Sequence, residues 1–171
     1  MSTVILRDMV FDDLDHLVRW RNDPEVSRYL ADRLKTRQEA ETWLTRLGAN
    51  SKVWRKVILL DGRIIGYGAV ESIDEKSRKC ELALVIGEPE CWGQGIAGQV
   101  VREMLRYAFV DLKMHRVFAA TVRGNERSMR LITRSGFREE GSMREAILLR
   151  GTFVDLLCYS MLEQEYVASL I

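Results

Sequence analysis

The chain has 171 residues, 47% of them hydrophobic, with 26 basic against 25 acidic side chains and a formal net charge of +1. That is enough apolar material for one sizeable core, and the near-zero charge supplies no global field for nucleic acid or an anionic membrane. The three cysteines, Cys80, Cys91 and Cys158, lie in apolar stretches without metal-ligand spacing, so reduced thiols in a cytoplasmic protein are expected, with no metal site.

Val4 to Arg7 reads as a short strand. The start of the chain has neither the basic beginning nor the apolar core of a signal peptide, and no apolar run approaches the roughly 20 residues that span a bilayer. Asp12 and Asp13 stand at a helix start, and Leu14, Leu17, Val18 and Trp20 form its apolar stripe until Pro24 closes it. A second helix is expected from Ala40, Trp43, Leu44 and Leu47, with Gly48 as its stop. Val53 to Leu60 and Ile64 to Ile73 are rich in β-branched and aliphatic residues, and Asp61-Gly62 between them suits a tight hairpin turn. Lys79 to Ile86 is the next strand, with Ser77-Arg78 in its connection.

From Ala97 the apolar residues fall at Ala97, Val100, Val101, Met104, Leu105, Ala108, Phe109 and Leu112, one face of a helix and the strongest periodicity in the chain. Val117 to Val122 then reads as a strand, Asn125 to Ser135 as a helix, and Phe137 onward as two strands meeting near Arg150-Gly151. Only two prolines, no low-complexity tract and no solenoid repeat make residues 1–171 a single expected domain. The fold class is α/β of the α+β kind, a mixed and mostly antiparallel sheet of about six to seven strands with helices on both faces. Its strand-helix-strand unit at 79 to 122 is expected to be parallel and right-handed.

Gly93-Gln94-Gly95-Ile96-Ala97-Gly98 matches the G-x-G-x-x-G pattern of dinucleotide sites. The context argues against that reading, because Glu88-Pro89-Glu90-Cys91-Trp92 separate the strand from the glycines and the next strand closes on Thr121-Val122 without an acidic residue. No Lys-Ser/Thr pair follows to make a P-loop. What remains is a glycine turn whose backbone N–H groups can approach an anion at the positive end of a helix, a geometry suited to a diphosphate, or else a turn that merely joins strand to helix. A second motif, Asn125 through Gly136-Phe137, begins with a good N-cap and ends at a C-terminal glycine before an aromatic strand residue.

The two motifs in this order and separation resemble the GNAT acetyltransferase superfamily. Trp20-Arg21-Asn22-Asp23-Pro24-Glu25-Val26, Glu81 through Ala97, His115-Arg116-Val117, Asp155 and Tyr159-Ser160 extend the likeness toward the ribosomal-protein N-terminal and spermidine acetyltransferases. The resemblance implies acetyl-CoA as donor and an amine acceptor, either a protein N-terminus or a small molecule such as a polyamine or amino sugar. It implies that backbone groups of Val85, Ile86 and Gly87 pair with pantetheine, and that Trp92, Gly93, Gln94, Gly95, Ile96, Ala97 and Gly98 hold the pyrophosphate. Asn125, Ser128 and Arg130 would lie along the cofactor. Trp92 stands where many relatives carry Arg or Gln.

Acetyl transfer needs a neutral amine, whereas a lysine-like amine has a pKa of about 10.4, so a base or a water chain must remove a proton. Glu81, on the strand leading to the cofactor, is the first choice for that base, and Glu145, after Gly141-Ser142-Met143-Arg144, is the second. Glu81 reads equally well as a strand carboxylate paired to a nearby Arg or Lys, and for Glu145 the paired-carboxylate reading is the stronger. The tyrosine acid of many GNAT proteins is replaced by Ile132, which leaves Ser128 to steady the departing thiolate, with Tyr159 as a substitute that also reads as core. His16 and His115 read as structural.

Two other classes stay open: a non-catalytic acyl-CoA sensor, and a nucleotide-dependent oxidoreductase. The acceptor is open as well, since Asp23, Glu25 and Asp32 could attract a cationic amine while Arg19, Arg21, Arg28 and Arg33 could attract an acidic one. Partners are expected to include neither nucleic acid nor membrane, and a homodimer is left open.

Overall fold

The computed structural model describes residues 3–31, 34–48 and 53–169. Asp32, Arg33 and the side chain of Leu47 lie outside the described residues. The elements in chain order are β1 (Val4–Asp8), α1 (Leu14–Asn22), α2 (Arg37–Gly48), β2 (Trp54–Leu60), β3 (Arg63–Asp74), β4 (Lys79–Ile86), α3 (Ile96–Arg106), β5 (Arg116–Val122), α4 (Glu126–Arg134), β6 (Arg138–Leu149), β7 (Thr152–Leu162) and α5 (Glu163–Ala168). The strands form one seven-stranded sheet in the order β1-β2-β3-β4-β5-β7-β6, antiparallel throughout except for the β4–β5 pair.

The local chemistry accounts for the element boundaries. Asp61 and Gly62 both have positive φ, 50° and 83°, the turn geometry whose twist matches that of the flanking strands β2 and β3. A short 3-10 turn at Phe11–Asp13 precedes α1, and the buried Asp13 carboxylate accepts two 2.7 Å hydrogen bonds from Arg7 and one from the Val10 N–H. Asn125 caps α4 by accepting from the Ser128 N–H.

Two side-chain clusters cover the two faces of the sheet. Alternate residues of β2 make the division: Trp54 and Ile58 pack with Val100, Met104 and Leu105 of α3, whereas Val57 packs with Leu14, Leu17 and Trp20 of α1 and with Ala40 of α2. Each such fully buried aliphatic side chain stabilises the fold by about 1.5–3 kcal/mol.

Two features depart from the sequence expectation. After Arg106 the helix widens into a π turn at Tyr107–Asp111, where the Leu112 N–H donates to the Tyr107 carbonyl at 2.9 Å. The wider turn carries Ala108 and Phe109 into the core, and Phe109 stacks on Tyr166 of α5 with ring centroids 4.8 Å apart. The α5 helix itself is six residues long, too short for a helical period to be read, and its start is fixed by the Glu165 carboxylate accepting from the Leu162 N–H.

Candidate active site

β4 and β5 pair over three residues only, Lys79 with Arg116, Cys80 with Val117 and Glu81 with Phe118. Beyond them β4 pairs with β3 alone and β5 with β7 alone. The two strands therefore part into a wedge, with Glu81 at its apex and the β4 edge from Leu82 to Ile86 open along one side. Every second residue of that edge turns its N–H and C=O into the wedge, where an extended amide chain can pair with it as an added strand would.

At the wide end lies the glycine turn. Gly93 and Gly95 have φ of 75° and 79°, and Gly95 is the left-handed N-cap of α3. A Cβ at either would meet nothing within 4 Å, so glycine is needed here for backbone conformation while the space above the turn stays open. The N–H groups of Ile96, Ala97 and Gly98 form the first turn of α3 beneath that space, where helix N–H donors lack intrahelical partners. Gln94 folds back to donate to the Glu90 carbonyl at 2.6 Å. Trp92 donates its indole N–H to the Ile86 carbonyl at 2.8 Å, and the Arg127 guanidinium of α4 sits 3.4 Å from the Trp92 ring centroid. The two motifs thus stand on opposite sides of the wedge and touch across it. Arg130 is exposed and lies 3.7 Å from Glu126.

Glycine at position 87 has a different cause. A Cβ there would lie 2.1 Å from the Trp20 ring, and its N–H donates to the Ile65 carbonyl at 2.8 Å, so its amide is already engaged within the sheet. The next residue, Glu88, is buried and joins α1 to the loop that leads into the glycine turn: it accepts from Trp20 Nε1 at 3.0 Å, from Arg19 and from Arg63. Burial pushes its carboxyl up, but the hydrogen bonds from Arg19 and Trp20 outweigh that and hold it below its usual range.

Glu81 shares a sheet face with Ala83 and Val85, the face on which α1 and α2 pack, and its register partner across β3 is Glu71. The bulge after Glu71 gives Ser72 a φ of 52° and swings its hydroxyl onto that face, where it donates to Glu81 at 3.0 Å. Burial pushes the Glu81 carboxyl above its ordinary value, the Glu71 charge adds to the rise, and the Ser72 hydrogen bond opposes it. Arg55 is 8% exposed, lies over the Trp43 ring at 4.5 Å and stands 3.7 Å from Glu71, with Nε and Nη2 lacking hydrogen-bond partners among the described residues.

The remaining candidates separate. Glu145 is exposed on β6, its N–H donating to Asp155 Oδ1 at 2.9 Å. Ser128 is half-buried in the first turn of α4, and its hydroxyl has no partner among the described residues. Tyr159 is 2% exposed in the α3-side core with Ile132 and Phe137, and burial raises its phenol. His16 packs against Trp20, and His115 lies 3.7 Å from Glu163. The three cysteines are free, and burial pushes the Cys80 thiol up to about 12. Among the described residues no group of three His, Cys, Asp or Glu could hold a metal, and no helix is long and apolar enough to cross a membrane.

Sequence reading alone missed Glu71, Ser72, Arg55, Arg127 and the binding partners of Glu88. Alternation along β3 and β4 could have paired Glu71 with Glu81 had the register been known. The bulge at Ser72 leaves no mark in residue order.

The profile of the Acetyltransferase (GNAT) domain matches residues 3–138. Over 168 residues, 94% of this chain and 93% of the relative, the sequence is 27% identical to "Uncharacterized N-acetyltransferase p20" of Bacillus licheniformis. It is 35% identical over 109 residues, 64% of this chain and 59% of the relative, to "Putative ribosomal N-acetyltransferase YdaF" of Bacillus subtilis. Among solved structures, the spermidine N-acetyltransferase of Vibrio cholerae in complex with CoA and spermine superimposes with a TM-score of 0.86 at 23% identity, over 96% of this chain and 98% of that one, a likeness of fold.

Proposed function

This chain belongs to the GNAT acetyltransferase family, and on that premise we propose that it moves the acetyl group of acetyl-CoA onto the primary amine of a protein N-terminus. The observation that carries the reading is the wedge: an open β4 edge that ends beside the open space over the N-terminus of α3. The fit to CoA is good at three places. The extended pantetheine amides match a free strand edge, the diphosphate matches the N–H groups at Ile96, Ala97 and Gly98, and Arg127 adds positive charge at the wide end. The likeness to the putative ribosomal N-acetyltransferase YdaF supports a ribosomal acceptor.

In this reading Glu81, at the apex, takes the proton from the incoming ammonium directly or through one water, which its raised pKa favours. The neutral amine attacks the thioester carbonyl, whose developing negative charge is met by a free β4 N–H near Val85. The new C–N bond forms, the C–S bond breaks with its electron pair on sulfur, the nitrogen passes its second proton through solvent to the departing thiolate, and the Ser128 hydroxyl steadies that thiolate by a hydrogen bond. Glu145, on the exposed hairpin, is the alternative base. The protein acts from the cytoplasm as a single domain spanning 1–171.

Release of free thiol from acetyl-CoA over a panel of amines tests this. Turnover with an N-terminal peptide supports the reading. Stabilisation by CoA without turnover of any amine would make the chain an acyl-CoA sensor instead.

A further inference from the structure

A cavity of about 290 Å³ lies between the end of α1, the segment that follows it and the β6–β7 turn, and its described lining carries Arg21, Lys35 and Arg150 but no carboxylate. The two arginines are held in place by neutral oxygens. Arg21 donates to the Tyr67 hydroxyl at 2.7 Å and to the Ala31 carbonyl at 3.4 Å. Arg150 donates to the Pro24 carbonyl at 3.0 Å and to the Ser27 hydroxyl at 3.3 Å. Among the described residues neither guanidinium meets a carboxylate, so both are oriented without being neutralised.

Asp23 Oδ1 accepts the N–H groups of Glu25 and Val26, each at 2.9 Å, and the nearby Arg19 is paired with Glu88. The cavity also stands on the correct side of the sheet. Tyr67, which Arg21 touches, is the register partner of Val85 on the face that carries Glu81. The Tyr29 hydroxyl donates to the Gly124 carbonyl at 3.0 Å, which fixes the same segment to the loop between β5 and α4.

We propose that this cavity selects acceptor amines that carry an anionic group, a carboxylate or a phosphate, received by Arg21 and Arg150 as charge-assisted hydrogen bonds. It rests on the acetyl-transfer reading only for the name acceptor, since the charge preference is a property of binding. A polyamine, cationic along its length, is the wrong ligand for such a lining.

The test uses matched pairs with the full chain saturated with CoA: a Ser-Asp-Asp-initiated peptide against Ser-Lys-Lys, and glucosamine 6-phosphate against glucosamine, with spermidine as a fifth ligand. Calorimetry reads affinity, and thiol release from acetyl-CoA reads turnover separately. The anionic member of at least one pair binds at least about tenfold more tightly, and Arg150→Glu, on an exposed turn, removes that preference while leaving CoA affinity unchanged. The two pairs distinguish a carboxylate from a phosphate source. Equal affinity within both pairs, tighter binding of the cationic members or of spermidine, no binding of any ligand, or a preference that survives Arg150→Glu would each overturn the proposal. Selective binding without turnover would retire the acetyl-transfer reading and leave the charge preference standing.

Discussion

Glu71 and Glu81 face each other across β3 and β4, two carboxylates on one sheet face, with the Ser72 hydroxyl on the second and Arg55 beside the first. Burial and the Glu71 charge both favour the protonated form of Glu81. If Glu81 is the base, activity fails on the acid side as it protonates. Removing the like charge with Glu71→Gln lowers its pKa and moves the acid limb of the kcat/KM profile to lower pH. Glu81→Gln should cut turnover by about 100-fold or more with CoA affinity intact. An acid limb that stays in place in Glu71→Gln would show that the two carboxylates are not coupled in catalysis.

Gly95 separates conformation from space. Its φ of 79° disfavours any residue with a Cβ, yet nothing would touch that Cβ. Gly95→Val therefore carries about 1–2 kcal/mol of backbone strain, relieved by distorting the turn, and is expected to weaken CoA binding about tenfold or more without unfolding the chain. Gly95→Asn, which tolerates the left-handed region, should lose much less. Equal CoA affinity in wild type and Gly95→Val would remove the phosphate role of the turn.

Gly87→Ala addresses how α1 is seated. The added methyl would fall 2.1 Å from the Trp20 ring, with that indole already fixed by Glu88. Overpacking of this kind costs about 1–3 kcal/mol, and so deep a clash belongs at the upper end. Chemical denaturation would read it; a loss below the error of the measurement would mean that α1 shifts freely.

Much of this was legible in the chain. The Asp61-Gly62 turn, the apolar face of α3 and the Asn125 cap are written in residues a few positions apart, and each appears where its local chemistry places it. The wedge is different, because strand parting depends on register between β4 and β5, which no local pattern encodes. Arg150 reaches Pro24 across 126 positions, and Arg19 reaches Glu88 across 69, so the cavity beside Arg21 and the Glu88 cluster emerge only when the sheet has formed. Asn125 has its side chain engaged in the cap of α4, and Arg127 meets the glycine turn through Trp92, a contact that residue order does not reveal.

Acid should weaken the tie that Glu140 of β6 makes to β5 and β7. Hydrogen bonds from Arg116, at 2.6 and 2.5 Å, and from Ser160 hold the Glu140 carboxyl down from its ordinary 4.5 to about 2. A depressed carboxylate contributes stability above its unfolded pKa and loses it as pH falls toward the folded value, so this contribution fades between about 4.5 and about 2. Glu140 is 41% exposed at its side chain, and solvent screening makes the contribution modest. The stability gap between wild type and Glu140→Gln in urea should therefore narrow across that acid range. A gap independent of pH would mean that the pair is not coupled to folding.

Amide hydrogen exchange with and without CoA tests the wedge most directly. If the parted strands receive the pantetheine arm and the glycine turn the diphosphate, CoA slows exchange at Leu82 to Ile86 and at Gly93 to Gly98 and leaves the β1–β2 edge unaffected. Exchange in both segments that is the same with and without CoA, at a concentration that saturates binding, would contradict the account.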